Sequence, residues 1–443
     1  MVVSASSLLT PASWGQEEEV EPPPTSDISN ISTETYLVGQ SPVGVAAAVA
    51  KLKAAAPARF AVPVGLGGFN FDLGLRAVYV SNVYLTYADP KEDFIIVPEC
   101  NISAYFPVGQ LNSLNLNVGL AYYQYLKNTS LNTGIPLVNP NTDFAFNLYS
   151  GDFGFRFSEN FSYQESPFFE TGSAYYEPGS AFYNLYNTAL FQRFQNRVGC
   201  LVTWDQNDLV MTAGYYHENL WSENATYSYI DHASELFNAD AMLATTPWLT
   251  VGLEAFGSIN NFDNDPSYNT WRAGAGPACR IKASDFVYLR MGVGYERIQY
   301  DSPDASSLGL IPENTYYAYL AVEHQINKFF RHSLGVWHDN QLGFNAANLE
   351  GTHVAYSLTW NPRKPLTISP MFSVNFYDES FGSTVVNLYH EKFTYYLTGL
   401  AVHYQLGAHW RAGASWYYRL KDSDIQVYGY TQNQADLELV YQF

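Results

Sequence analysis

The sequence predicts an all-β fold, a closed antiparallel transmembrane β-barrel of eighteen strands, and three observations point to it. Period-two alternation recurs through most of the chain and ends on Ala435 to Phe443, where Leu437, Leu439, Tyr441 and Phe443 share one face. The connections between these segments are short and long in strict turn, which is the pattern of a barrel inserted from one side of a membrane. Aromatics reach 16% and charged residues only 14%, yet the mean hydropathy is −0.16, because nearly every apolar strand position has a polar neighbour. No run approaches the ~18 apolar residues of a membrane-spanning helix.

The clean alternation opens at Phe69, with Phe69, Phe71, Leu73 and Leu75 set against Asn70, Asp72, Gly74 and Arg76. Leu114, Leu116 and Val118 oppose Asn115, Asn117 and Gly119. Val287, Leu289, Met291 and Val293 oppose Tyr288, Arg290, Gly292 and Gly294, and Trp410, Ala412, Ala414 and Trp416 oppose Arg411, Gly413, Ser415 and Tyr417. Alternate side chains of a strand point to opposite faces, so one face meets lipid and the other a wet interior.

Short turns fall at Pro107 to Asn112, Ser150 to Asp152, Asp205 to Asp208, Thr245 to Pro247, Lys282 to Asp285, Asn327 to Lys328, Asn361 to Pro365 and Gly407 to His409. Long polar connections lie between them, at about Lys127 to Asn141, Glu165 to Leu185, Glu218 to Asp231, Asn261 to Thr270, Arg297 to Asn314, His338 to Glu350, Asp378 to Glu391 and Lys421 to Gln434. With Ala88 to Glu92 they give eighteen strands over residues 69–443 and both termini in the periplasm. Sixteen follows instead if Asp143 to Tyr163 is one bent strand rather than a hairpin around Gly151.

The residues before the barrel read differently. Residues 1–16 resemble the remainder of a signal peptide without its basic front, Val2 to Leu9 being weakly apolar and Ser13 and Gly15 small. Residues 17–68 form an acidic, then proline-rich periplasmic tail. Within it the alanine-rich stretch Val43 to Ala56, ended by Pro57, fits a linker, or a short helix that plugs or constricts the pore.

Net charge of −20 excludes a nucleic-acid partner, which would demand clustered cations. The three cysteines, Cys100, Cys200 and Cys279, are odd in number and widely spaced, as lipid-facing small residues would be. Register places Arg76, Arg156, Arg193, Arg197, Arg272, Arg280, Arg290, Arg411 and Arg419 inward as pore-lining residues, with the acids Asp72, Glu99, Asp240, Glu254, Glu296, Glu323 and Glu438. Opposed basic and acidic walls would set a transverse field, and the plainer alternative is local pairing between neighbouring strands. Tyr123, Tyr288, Tyr317, Tyr319, Trp337 and Tyr417 also face inward, and a sugar path would require them to line up. Two aromatic girdles are expected, Trp204, Trp248, Phe286, Phe330, Trp360, Trp410 and Phe443 beside the short turns and Tyr216, Trp337, Tyr377 and Trp416 at the far rim.

No enzyme is expected. The chain lacks a nucleophile elbow, a paired-histidine zinc motif and a phosphate-binding loop. His217, Asp231, His232, His338, Asp339, His390 and Glu391 lie near loop bases, but sequence neighbours on a strand point apart, so a catalytic pair would have to assemble across strands. Asn260 to Asp265 lacks the glycine and distal glutamate of a calcium loop. No cofactor and no metal are expected.

Val80-Ser81-Asn82-Val83-Tyr84-Leu85-Thr86-Tyr87, then Lys91-Glu92-Asp93-Phe94-Ile95-Ile96 and Leu114 to Gly119, resemble the start of bacterial outer-membrane β-barrel porins of the exopolysaccharide-associated type. In that pattern an aspartate precedes the asparagine, and here Ser81 takes its place. The resemblance covers about three strands. It implies the outer membrane of a Gram-negative-type envelope, a porin or accessory surface role, and no catalytic residues. The expected function is passive diffusion of small polar solutes, the alternative being a non-conducting surface barrel or an exopolysaccharide-associated component. The expected partners are outer-membrane lipid, those solutes, and the barrel assembly machinery that reads Leu437, Leu439, Tyr441 and Phe443 as an insertion signal. A homotrimer stays open, because an exterior that is apolar all round isolates no interface.

Overall fold

The computed structural model describes residues 60–65, 67–109, 111–139, 142–165, 191–264, 266–301, 313–342, 348–380 and 390–443. The expected signal-peptide remainder, the tail up to residue 59 and the Val43 to Ala56 stretch lie outside them.

Eighteen long strands form the wall. They are β1 (Gly67–Val80), β2 (Asp93–Val108), β3 (Asn112–Ala121), β4 (Asp143–Ser150), β5 (Phe153–Gln164) and β6 (Arg193–Gln206). Next come β7 (Leu209–Ser222), β8 (His232–Thr246), β9 (Leu249–Phe262), β10 (Thr270–Lys282), β11 (Val287–Tyr300) and β12 (Glu313–Asn327). The last six are β13 (Phe330–Leu342), β14 (Asn348–Arg363), β15 (Leu366–Ser380), β16 (His390–Gln405), β17 (Trp410–Ser423) and β18 (Tyr430–Gln442). Each pairs antiparallel with the next, and β18 returns to β1 from Asp72↔Gln442 to Val80↔Gln434, so the sheet has no open seam. Closure removes the unpaired edges that lipid could not solvate.

The choice between sixteen and eighteen strands is decided at Gly151. Its φ of +60° makes a two-residue turn, and Asp143 to Ser150 pairs back on Phe153 to Asn160 as a true hairpin. Left-handed residues also sit in the turns at Gly109 and Asn207, with φ of +69° and +63°, where only glycine or asparagine adopts such backbone cheaply. The short-turn end carries both β1's start and β18's end.

Burial follows the period-two register. Leu75, Phe157, Leu253, Val293, Leu400 and Leu437 are among many large apolar side chains turned outward and exposed, Leu253 by 65% and Leu437 by 66%. Such a continuous greasy exterior is far beyond the patch of a few hundred Å² that water-soluble monomers tolerate, and it calls for lipid. Cys100, Cys200 and Cys279 pair across strands with the outward Leu73, Phe157 and Val251, and all three are free thiols.

One girdle assignment needs correction. Tyr216 pairs with Gly199 and packs on it, Trp337 stacks on His353, and Tyr377 is buried against His353. All three point inward. The far girdle is built from the adjacent parity, with Tyr215, Trp221, Phe237, Tyr295, Tyr316 and Phe376 outward beside Trp416. A one-residue error reverses a side chain's face, and Tyr215-Tyr216 offered two rings for one outward place.

Candidate functional site: the inner wall of the barrel

Contacts between strands that do not pair prove which side chains meet inside. Tyr319 of β12 donates its hydroxyl to Glu254 Oε2 of β9 at 2.7 Å, a bond that can form only through the interior. Arg76 of β1 reaches the Tyr123 hydroxyl at 3.4 Å. Arg156, Arg193, Arg197, Arg272, Arg280, Arg290, Arg411 and Arg419, with Asp72, Glu99, Asp240, Glu254, Glu296, Glu323 and Glu438, share the inward parity set by these residues. Leu437 and Leu439 take the opposite parity, outward, in line with Tyr441 and Phe443.

The charges pair along the wall rather than across the lumen. Arg76 lies 4.0 Å from Glu99, Arg197 3.0 Å from Glu218, Arg272 2.9 Å from Glu296, Arg411 3.6 Å from Glu438 and Arg331 2.8 Å from Glu323. In each case the partners sit on adjacent strands. Arg419 donates to Gln432 and Gln434 of β18 at 3.0 and 2.8 Å. In these pairs both signs stand side by side on the same arc of the wall.

The two ends of the lumen differ. Near the short turns the inward residues include small, polar, half-buried ones, Asn70, Asn101, Ser103, Asn115, Thr203 and Thr212, beside the buried Val210, Met242, Thr250 and Val440. Toward the long loops the inward residues are buried: Val80, Ile95 and Val97 on β1 and β2, Ser258 and Asn260 on β9, Arg272 and Glu296 on β10 and β11, Glu391 and Lys421 on β16 and β17. An eighteen-stranded barrel is wide enough for a water channel, so this half is filled by something other than its wall.

Part of the filling is the connection between β1 and β2, residues 81–92. It folds inward and brings Val83, Tyr84 and Leu85 against Val78, Ile95, Tyr123, Tyr125 and Leu137. Leu85 also packs on the cluster of Leu349, Tyr377, Phe393, Tyr395 and Tyr430 from the other side of the seam. Leu85 holds a left-handed φ of 53°, unfavourable for a branched side chain and retained here by the packing around it.

Asn82 is the staple of this loop. Buried at 1% exposure, it donates to the carbonyls of Thr86 (2.8 Å) and Thr431 (3.1 Å), and accepts from the Thr86 amide on Oδ1 at 3.1 Å and from Gln432 Nε2 on its own carbonyl at 2.8 Å. Ser81 and Asn433 exchange further bonds, and the Val83 amide closes on the Lys91 carbonyl. Asp93 does the same for the next long connection, accepting from the amides of Leu126, Lys127 and Asn128 at 3.0, 2.9 and 2.7 Å. These are the asparagine and aspartate of the resemblance quoted above, and sequence reasoning assigned them no role. At the exposed top of that connection Lys127 pairs with Glu92, holding the Glu92 carboxyl below its ordinary pKa.

One row of inward rings that includes Trp337 runs from strand to strand. Trp337 stacks on His353 at 4.9 Å, His353 meets Tyr377 at 5.1 Å, Tyr377 meets Phe393 at 4.8 Å, and Lys421 lies over Phe393 at 4.3 Å. His353, Tyr377 and Phe393 are buried, so this row braces the wall and offers no sliding surface for a sugar ring.

His338 and Asp339 point apart, as expected. His338 is in hydrogen-bond contact with Thr352, while Asp339 holds His353 of β14, Oδ1 to Nε2 3.1 Å, whose Nδ1 faces Asn375 Oδ1 at 3.1 Å. Both ring nitrogens are engaged. His232 is buried with its Nδ1 on the Ile230 carbonyl. Asn260 of the candidate calcium loop instead bonds Ser234, Ser258 and Thr270 inside the barrel. No cluster of three metal-ligating side chains occurs among the described residues.

The pair Arg272–Glu296 gives a direct prediction. Both are buried, Arg272 at 5% and Glu296 at 0% exposure, so Arg272→Ala strands a carboxylate and is expected to destabilise the folded barrel by about 3–5 kcal/mol. Arg331→Ala, which breaks a pair whose arginine is half exposed, is expected to cost about 0–1 kcal/mol. Urea-titrated folding into lipid vesicles compares them, and equal shifts would contradict the packed interior.

No protein-family model matches the sequence, and no curated protein matches it. Among solved structures the chain is similar to OpdK of Pseudomonas aeruginosa, crystallised with vanillate, at 12% identity and a TM-score of 0.46 over 85% of this chain and 98% of that one. It is similar to OprD of the same organism at 14% identity, TM-score 0.44, over 85% and 95%, and to outer-membrane expressed OmpT of Vibrio cholerae at 11% identity, TM-score 0.41, over 86% and 99%. The barrel itself is established by the closed strand pairing.

Proposed function

We propose that the protein is an outer-membrane porin-like channel for passive diffusion of small polar solutes, with its short turns and both termini in the periplasm. The observation that carries this reading is the pairing of a mainly apolar exterior with a charged, polar inner wall, narrowed toward the long loops by residues 81–92. Solutes would meet a wide periplasmic vestibule and be selected by size in the packed extracellular half, where fixed charges on the wall compensate lost hydration. Leu437, Leu439, Tyr441 and Phe443 would present the strand that the barrel assembly machinery captures. Oligomerisation, a homotrimer included, would use part of the same lipid-facing exterior.

The burial of the extracellular half also favours a second reading, a non-conducting surface barrel or exopolysaccharide-associated component. Planar-bilayer recording of the pure folded protein separates the two. Stepwise currents, severalfold smaller than an unobstructed lumen of this strand number would pass, are expected of the channel, and a silent bilayer would reject it.

A further inference from the structure

Two histidines stand side by side on the outside of the wall. His324 of β12 and His332 of β13 are direct cross-strand partners and share the parity of Val322 and Leu334, which face lipid. Phe330, one outward step nearer the short turn, stacks on Trp360 with ring centroids 5.5 Å apart and planes 7° from parallel, so the histidines lie just inside the short-turn girdle. Their flanks are apolar. Val287 of β11 lies across from His324 and Leu358 of β14 across from His332, and Tyr356 tilts against the His332 ring at 5.8 Å. An outward place at this level ordinarily holds an aliphatic or aromatic side chain.

The two rings meet through nitrogen. His324 Nδ1 and His332 Nε2 are 3.0 Å apart, with ring centroids 5.0 Å apart and planes crossed at 63°. One nitrogen donates and the other accepts, but the pair is poorly satisfied, because His332 Nδ1 is enclosed with no hydrogen-bond partner among the described residues. The same separation suits a metal ion. Two imidazole nitrogens bound at about 2.0–2.1 Å and subtending roughly 90–110° stand about 3.0–3.4 Å from each other, so small turns of the rings bring both lone pairs onto one ion without moving the backbone. The donor ring's proton passes through solvent to its other nitrogen. Both imidazoles therefore stay neutral, each gives one lone pair, and no net proton is released.

We propose that His324 and His332 form a bidentate site for a borderline divalent transition metal, Cu²⁺, Zn²⁺ or Ni²⁺, that clips β12 to β13 at the short-turn edge of the membrane. Imidazole suits these ions, whereas Mg²⁺ and Ca²⁺ take oxygen ligands. Two protein ligands leave positions for water and for headgroup phosphate oxygens, and those phosphates supply the negative charge that Val287, Leu358 and Tyr356 do not.

Cu²⁺ is the probe, because its unpaired electron registers how many nitrogens are bound to it. The full chain, prepared without a histidine tag, is titrated in lipid nanodiscs with substoichiometric Cu²⁺ and read by electron paramagnetic resonance. A two-nitrogen spectrum is expected. His217 and His338 each stand beside a carboxylate, Glu235 and Glu350, so copper held at those places would show one nitrogen, and a one-nitrogen spectrum would overturn the proposal. His324→Gln and His332→Gln are each expected to weaken binding about tenfold or more and to leave one nitrogen, whereas His217→Gln changes neither reading. Unchanged affinity in either of the first two variants would also overturn it. The spectrum of the unsubstituted chain decides the matter even if a variant folds poorly. No reading here needs ion flow, so an electrically silent barrel would lose the channel and keep this site.

Discussion

Asn82→Ala is expected to raise the single-channel current severalfold while leaving the barrel folded. The substitution removes the side chain that ties the turn to the Thr86 backbone and to the Thr431 carbonyl of β18. At ~1 kcal/mol net per hydrogen bond, the loop loses on the order of 3 kcal/mol. That loosens the middle of a loop still held at its ends by the Ser81–Asn433 bonds, by Gln432 on the Asn82 carbonyl and by the Val83–Lys91 bond, and packed through Val83 and Leu85, and Leu85 would then also shed its left-handed backbone strain. The wall is unaffected, because β1 and β18 remain paired over Asp72 to Val80. Bilayer recording checks the current, and resistance of the folded band to detergent at room temperature checks the barrel. An unchanged current from a folded variant would show that residues 81–92 do not limit flow.

The second large effect concerns the two faces of β3. Leu116 points to lipid and Asn117 to the lumen, where Asn117 Nδ2 bonds Asp143 Oδ1 at 2.6 Å. Leu116→Arg places a charge near mid-strand on the lipid side and is expected to destabilise folding by about 2–4 kcal/mol. Asn117→Arg keeps a donor beside Asp143 in a polar, hydrated setting, and a change within about 0.5 kcal/mol is expected. Urea-titrated refolding into vesicles of defined lipid measures both. Similar losses at both positions would mean that the register assigned to β3 is wrong.

The strands, turns and closure were legible because each depends on local chemistry. Alternation fixes the face, and residues such as Gly151 and Asn207 fix the hairpins. The inward parity of the arginines followed from the same rule. What a sequence could not carry was the third dimension of the lumen. Asn82 lies next to a turn and looks like an ordinary loop asparagine, yet its partner Thr431 stands at the opposite end of the chain, brought beside it only by closure of β18 on β1. The Asp339–His353 pair was invisible for a related reason: the neighbouring His338 drew notice, while the true partner faces Asp339 from the next strand. Tyr215-Tyr216 and Tyr377 were ambiguous because ring chemistry suits both a girdle and a packed interior, and only the parity of the pairing decides.

The central claim is a closed wall whose alternate side chains meet water and lipid, and its most direct measurement is a paired thiol scan on neighbouring strands. Thr203 and Thr212 are cross-strand partners on the inward face of β6 and β7, and Val202 and Ala213 are partners on the outward face one step away. With the native cysteines changed to alanine, single cysteines at these four positions are exposed to an impermeant maleimide in nanodiscs. The account predicts that the cysteines placed at Thr203 and Thr212 react and those placed at Val202 and Ala213 do not. Reaction at all four alike, or at the Val202 and Ala213 positions alone, would contradict a water-filled barrel with this register.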